Sequence, residues 1–151
     1  MFRGVANLSL DVKGRMAMPA RYREQLMAEC DGQLVVTVDR DRCLLIYPLP
    51  EWENIEQALV RLPSLHPQAR KLQRLLIGHA TETEFDTQGR ILIPTPLREF
   101  ASLGKKVVLI GQGRRFELWD EQGWNTSCDG WLQERSDDEL ELPEALSSLS
   151  F

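Results

Sequence analysis

Histidine is nearly absent from this chain: His66 and His79 are the only two, and they stand apart. Cysteine is scarce as well. Cys30, Cys43 and Cys128 are odd in number and widely spaced, with no metal-ligand pairing among them. They read as buried or inert thiols that pack as small apolar groups. No glycine loop suited to cradling phosphate and no nucleophile elbow occurs. No carboxylates form a recognisable catalytic pair. These absences argue against an enzyme, a resident metal, a cofactor and a small-molecule substrate. No run of about 18 apolar residues exists, so no membrane span is expected. Met1-Phe2-Arg3-Gly4 lacks the apolar core of a signal peptide, and a cytoplasmic location is the expectation.

Positive charge is in deficit overall, with a net charge of −5. Its distribution matters more than its sum. Seven of the 23 acids lie between Asn125 and Phe151, against one base, Arg135. The first 124 residues hold the other 16 acids and 17 bases. Within the first 27, Arg3, Lys13, Arg15, Arg21 and Arg23 face only Asp11 and Glu24. The chain has a basic beginning and an acidic end.

What is present is a repeat. Asp11-Val12-Lys13-Gly14-Arg15, with Pro19 beyond it, returns as Asp86-Thr87-Gln88-Gly89-Arg90 with Pro94, at an offset of 75 residues. Arg23 and Glu24 return as Arg98 and Glu99. Ile46-Tyr47 and Trp52 match Leu118-Trp119 and Trp124 at an offset of 72. A duplication constrains architecture and symmetry together. It predicts a pseudo-twofold unit whose halves are too small to be comfortable alone.

Each half reads alike. Val5 to Leu10 is a strand, Asp11 to Gly14 a turn started by the aspartate and completed by a glycine at positive φ, and Arg15 to Met18 the return strand of a β-hairpin. A helix over Ala20 to Glu29 and strands over Leu34 to Val38 and Cys43 to Tyr47 follow. The second half gives strands over Thr83 to Phe85 and Arg90 to Ile93, a helix opened by Pro96, and strands over Val107 to Ile110 and Phe116 to Trp119. Between them, Glu51 to Leu62 and Pro67 to Ile77 have helical spacing and form a helical hairpin. Glu121 to Leu132 is a short helix, and the acidic tail beyond Glu134 is expected to be mobile.

The fold class is therefore mainly β with helices (α+β). Repeat 1 covers 5–52, the helical insert 53–80, repeat 2 81–124, and the helix and acidic tail 125–151. Interleaved hairpins would close the sheet into a β-barrel without edges and set the two turns together on one face.

The chain resembles the MraZ family, built from two swapped-hairpin domains of the SpoVT–AbrB type. The resemblance rests on the two Asp-x-x-Gly-Arg turns, Met1-Phe2-Arg3-Gly4, Arg21-Tyr22-Arg23, Leu45-Ile46-Tyr47-Pro48 and Gly78-His79-Ala80, and runs from Met1 to about Trp124. It implies a nucleoid-associated transcriptional regulator that assembles into a ring homo-oligomer. Its partner would be double-stranded promoter DNA, in short G-containing direct repeats. It would repress its own operon of division and cell-wall genes. The alternative is an antitoxin-like protein-interaction module of the same fold.

The residues fit that chemistry. A two-stranded ribbon enters the major groove of B-DNA, and arginine can bond guanine O6 and N7 together. Lys13, Arg15 and Arg90 are candidates for such contacts. Gln88, replacing lysine in the second turn, suits an adenine edge. Arg3, Arg21 and Arg23 are candidates for phosphate. Asp11, Gly14, Asp86 and Gly89 shape the loops. The basic turns at Arg40/Arg42 and Arg114-Arg115 read as solvated loops, and Trp52 and Trp124 as core or interface anchors.

Overall fold

The computed structural model describes residues 1–134 and residue 149. The tail expected to be mobile lies, but for Glu134 and residue 149, outside the described residues. The chain divides into two units, 1–121 and 122–151.

In the first unit, β1 (Phe2–Ser9) is followed by β2 (Arg15–Ala17), α1 (Ala20–Cys30), β3 (Gln33–Val38) and β4 (Leu44–Pro48). Next come α2 (Leu49–Val60), α3 (Pro67–Leu72) and a π-helical turn over Gln73–Ile77 that continues α3. Then β5 (Thr81–Glu84), β6 (Arg90–Leu92), α4 (Thr95–Phe100), β7 (Lys106–Gly113) and β8 (Arg115–Asp120) repeat the first half. Asp31 and Gly32 end α1 in left-handed conformation, their N–H groups bonded to the last helical carbonyls.

One antiparallel sheet runs β1-β7-β8-β4-β3-β5, and a separate two-stranded ladder joins β2 to β6. The order is palindromic under the repeat, because β1 corresponds to β5, β7 to β3 and β8 to β4. The registers are centred accordingly: Leu45 faces Glu117 between β4 and β8, and Met16 faces Ile91 between β2 and β6. Both pairs are related by the repeat offsets. Each first strand pairs with the third strand of the other half, β1 with β7 and β5 with β3.

The sheet is not a closed barrel, contrary to the sequence expectation. No ladder joins β1 to β5 among the described residues. The physical reason lies in the return strands. Each is three residues long and spends its pairing on its counterpart, so the ladder stays apart from the sheet. The β1–β2 hairpin is likewise reduced to the Leu10–Met16 bridge beyond its turn.

β3 and β4 are almost continuously apolar because both their faces are covered. Leu34, Val36, Leu44 and Ile46 pack on one side with Leu26 of α1, Leu97 of α4 and the ladder residues Met16 and Ile91. Val35, Leu45 and Tyr47 pack on the other with Trp52 and Leu59 of α2. Trp52 is 3% exposed and is a core anchor. In the second unit, the rings of Trp124 and Trp131 in α5 (Glu121–Gln133) meet edge to face at 5.8 Å. No helix among the described residues is long and apolar enough to cross a membrane.

Candidate nucleic-acid interface

The two turns match atom for atom. Asp11 Oδ1 accepts from the backbone N–H of Lys13 at 3.0 Å and of Arg15 at 2.8 Å, and Oδ2 accepts from Arg15 Nε at 2.8 Å. Asp86 Oδ1 accepts from the N–H of Gln88 and Arg90, both at 2.9 Å, and Oδ2 from Arg90 Nε at 3.0 Å. Gly14 and Gly89 have φ of +88° and +75°, and each donates its N–H to the aspartate carbonyl that opens its turn. Only glycine takes this conformation without strain.

The turns are adjacent. Arg90 Nη1 lies 3.7 Å from Asp11 Oδ2, so one carboxylate addresses a guanidinium from each repeat. The Met18 N–H donates to the Gly89 carbonyl and the Ile93 N–H to the Gly14 carbonyl, tying each turn to the other half. Arg15 and Arg90 are partly exposed, at 33% and 26% of the side chain. Aspartate holds each through Nε, and among the described residues Nη1 and Nη2 of Arg15 donate no hydrogen bond. The Arg15 guanidinium thus has a fixed stem and both terminal nitrogens left over for an external acceptor, whereas Arg90 already turns Nη1 toward Asp11.

The carboxylates are well suited to that duty. The Arg15 N–H, with its side chain and the Lys13 N–H, holds the Asp11 carboxyl at about 2, against a smaller opposing effect of partial burial. The Arg90 N–H is the chief cause lowering Asp86. Both are ionised throughout the neutral range.

The other predicted residues separate. Lys13 and Gln88 are exposed in the turns. Arg23 is turned inward: its Nη1 donates to the Met18 carbonyl at 3.2 Å, and its guanidinium covers Gly89. Arg3 and Arg21 form another group around Tyr22. The Tyr22 hydroxyl donates to the Arg3 carbonyl and accepts from Arg21 Nη2, whose guanidinium lies over the ring. No ion pair or hydrogen bond joins that group to either turn among the described residues.

Sequence reasoning missed three residues. Arg98, the counterpart of Arg23, covers Gly14 and donates from Nε to the Ile93 carbonyl at 2.9 Å. The repeat offset paired the two arginines but did not reveal that each serves the other half. Lys105 borders the first turn because its carbonyl accepts the Leu10 N–H. Val12 is 98% exposed at the tip. The second turn is bordered instead by Asp31 and Glu84. The geometry is twofold, but the electrostatics are not.

Arg115, read as a solvated loop residue, is half-buried and donates to the Tyr47 hydroxyl at 2.8 Å. Asp39, Cys43 and Glu117 bring ligand atoms within 4.8 Å of one another. Burial, reinforced by those carboxylates, pushes the Cys43 thiol far up.

Fold and site together define an α+β domain of two interleaved halves that presents two charged turns side by side. The family described as "MraZ protein, putative antitoxin-like" matches residues 1–75 and again 76–141. The chain belongs to the MraZ family. It is 64% identical over 151 residues to "Transcriptional regulator MraZ" of Thioalkalivibrio sulfidiphilus, covering 99% of each chain. Its identity to the protein of the same name in Methylococcus capsulatus is 59% over 152 residues, covering 100% of each. For Halorhodospira halophila the figures are 57% over 151 residues and 99% of each.

Proposed function

We propose that the protein is a sequence-specific DNA-binding transcriptional regulator and not an enzyme, in keeping with the name its relatives carry. The observation that carries the reading is the side-by-side pair of aspartate-held arginines, Arg15 and Arg90, with Lys13 beside the first. Terminal guanidinium nitrogens fit guanine O6 and N7. Lys13 and Lys105 supply positive charge for phosphates, and the bare Val12 methyls suit a thymine methyl. Lys13 and Arg15 lead, and Arg90 and Gln88 make the weaker contact. Arg3 and Arg21 contact phosphate, whereas Arg23 covers Gly89 of the second turn.

One pair of turns spans only a few base pairs and binds weakly alone. Several copies in a ring reading successive G-containing repeats would raise avidity by roughly 10²–10⁴. That reconciles DNA binding with an acidic chain. The regulated genes would be the protein's own operon, of division and cell-wall function, and the effect repression at the nucleoid.

Footprinting of purified protein on its own upstream region tests this. Regularly spaced protected boxes are expected, and Arg15→Ala should lose roughly 1–3 kcal/mol per engaged site. An unchanged mobility shift with Arg15→Ala would remove the base-reading role. The family description "antitoxin-like" favours a second reading, a protein-interaction module. Absence of any salt-sensitive DNA complex would select it.

A further inference from the structure

A cavity of about 330 Å³ lies between the sheet and the π-helical turn. Leu45, Leu72, Leu75 and Leu76 line it with apolar surface, and Phe100 of α4 closes one side. Three guanidiniums, of Arg40, Arg42 and Arg115, border it against a single carboxylate, Asp39. That carboxylate is already engaged, accepting from the Asp41 N–H and the Cys43 thiol. Arg115 is spent on Tyr47, Gln112 and Glu117. Arg40 and Arg42 have no ion-pair partner among the described residues, and Arg42 only covers the Phe100 ring at 5.1 Å.

Two features of the wall are built at a cost. Arg42 has φ of +64°, a left-handed conformation that costs any residue with a Cβ atom. The helix widens into a π-turn over Gln73–Ile77, a device concentrated at functional sites. The turn is held by the buried Thr37 hydroxyl, which donates to the Leu76 carbonyl at 2.6 Å, and by Gln73 Nε2, which donates to the Leu59 carbonyl at 2.8 Å. These bonds fix the segment that carries Leu75 and Leu76 into the cavity wall.

We propose that this cavity binds a small organic anion. An apolar body would rest on the leucines, and its acidic group would meet Arg40 and Arg42. An apolar chamber with a few convergent polar groups is the usual form of a ligand site. Unpaired guanidiniums at its border select negative charge. Phe100 stands two residues from Arg98 on α4, so the chamber and the Gly14 turn share a helix. The site does not depend on the DNA reading.

Fluorescence titration of the full chain with 8-anilinonaphthalene-1-sulfonate tests it, with uncharged N-phenyl-1-naphthylamine as the comparison. Saturable binding of one sulfonate per chain is expected, at least tenfold tighter than the neutral analogue. Arg40→Gln with Arg42→Asn should weaken the sulfonate at least tenfold and leave the analogue unchanged; asparagine tolerates the backbone at 42. Leu75→Trp should abolish binding by filling the chamber. If that variant fails to fold, the double variant, at exposed positions, still decides. Equal affinity for both probes, or sulfonate binding unchanged by the double variant, would overturn the proposal.

Discussion

Arg98 lies against Gly14 so closely that a methyl group there would stand 2.6 Å from its Cζ and Nε, and 2.8 Å from the Ile93 carbonyl oxygen. Gly89 is covered by Arg23 in the same way, but there the three nearest atoms, from 2.4 to 3.0 Å, all belong to the arginine side chain and none to the backbone. The difference sets an order. Gly14→Ala meets both a positive φ and a backbone atom that cannot move aside. It should cost about 1–3 kcal/mol. Gly89→Ala should cost less, because a side chain can yield by giving up one hydrogen bond, that of Arg23 to the Met18 carbonyl, where a backbone carbonyl cannot. In a chain of this size each kcal/mol lowers Tm by roughly 2–4 °C. Thermal unfolding of both variants checks the order, and equal losses would refute it.

The Asp11 carboxyl should titrate near 2 in the folded protein, well below its ordinary 3.8. A depressed folded value means that its contribution is present above the unfolded pKa and disappears as pH falls from about 4 toward 2. Carboxyl carbon shifts measured by NMR follow the titration. Arg15→Ala removes the guanidinium but keeps the Arg15 and Lys13 amides, so the midpoint should rise yet stay below 3.8. An unshifted midpoint in the variant would show that the side chain does not hold the carboxylate.

Both turns were legible from the sequence because their chemistry is local. Aspartate, glycine and arginine within five residues determine nearly every bond made there. Trp52 was legible as an anchor from its place after the last strand of the repeat. The partners of the strands were not. β1 alternates only loosely, and nothing in its residues names β7 as its neighbour rather than β2. The return strands have too few residues for a period to register, which is why an open sheet with a separate ladder was read as a barrel. Arg23 is a phosphate candidate by its charge, and a lone arginine on a helix says nothing about which glycine it will cover. The glycine that receives it is 66 residues further along the chain.

Thr37 is fully buried, and its hydroxyl satisfies the Leu76 carbonyl, which lies in the last turn and has no partner N–H within the helix. Thr37→Val keeps the shape and strands the Leu76 carbonyl. The loss should be about 1–3 kcal/mol, the desolvation penalty of an unsatisfied buried group. Thr37→Ser restores the donor and should recover most of it. Chemical denaturation of the pair measures the difference, and a valine variant as stable as the parent would mean the bond contributes nothing net.

Charge is where the two halves diverge, and it can be exchanged. Lys13 sits in the first turn with Lys105 beside it, whereas Gln88 sits in the second between Asp31 and Glu84. If DNA meets both turns, Lys13→Gln should weaken binding and reduce the slope of log affinity against log salt by about 1 per engaged turn. Gln88→Lys should do the reverse, by less, because the neighbouring carboxylates offset part of the added charge. Mobility shifts across a salt series read both effects. The double exchange tests position against sum: net charge is unchanged, so a binder sensitive only to total charge would be indifferent to it. A protein that leads with its first turn should bind more weakly after the exchange. Unchanged affinity would make the turns electrically equivalent and remove the ranking of Lys13 and Arg15 over Gln88 and Arg90.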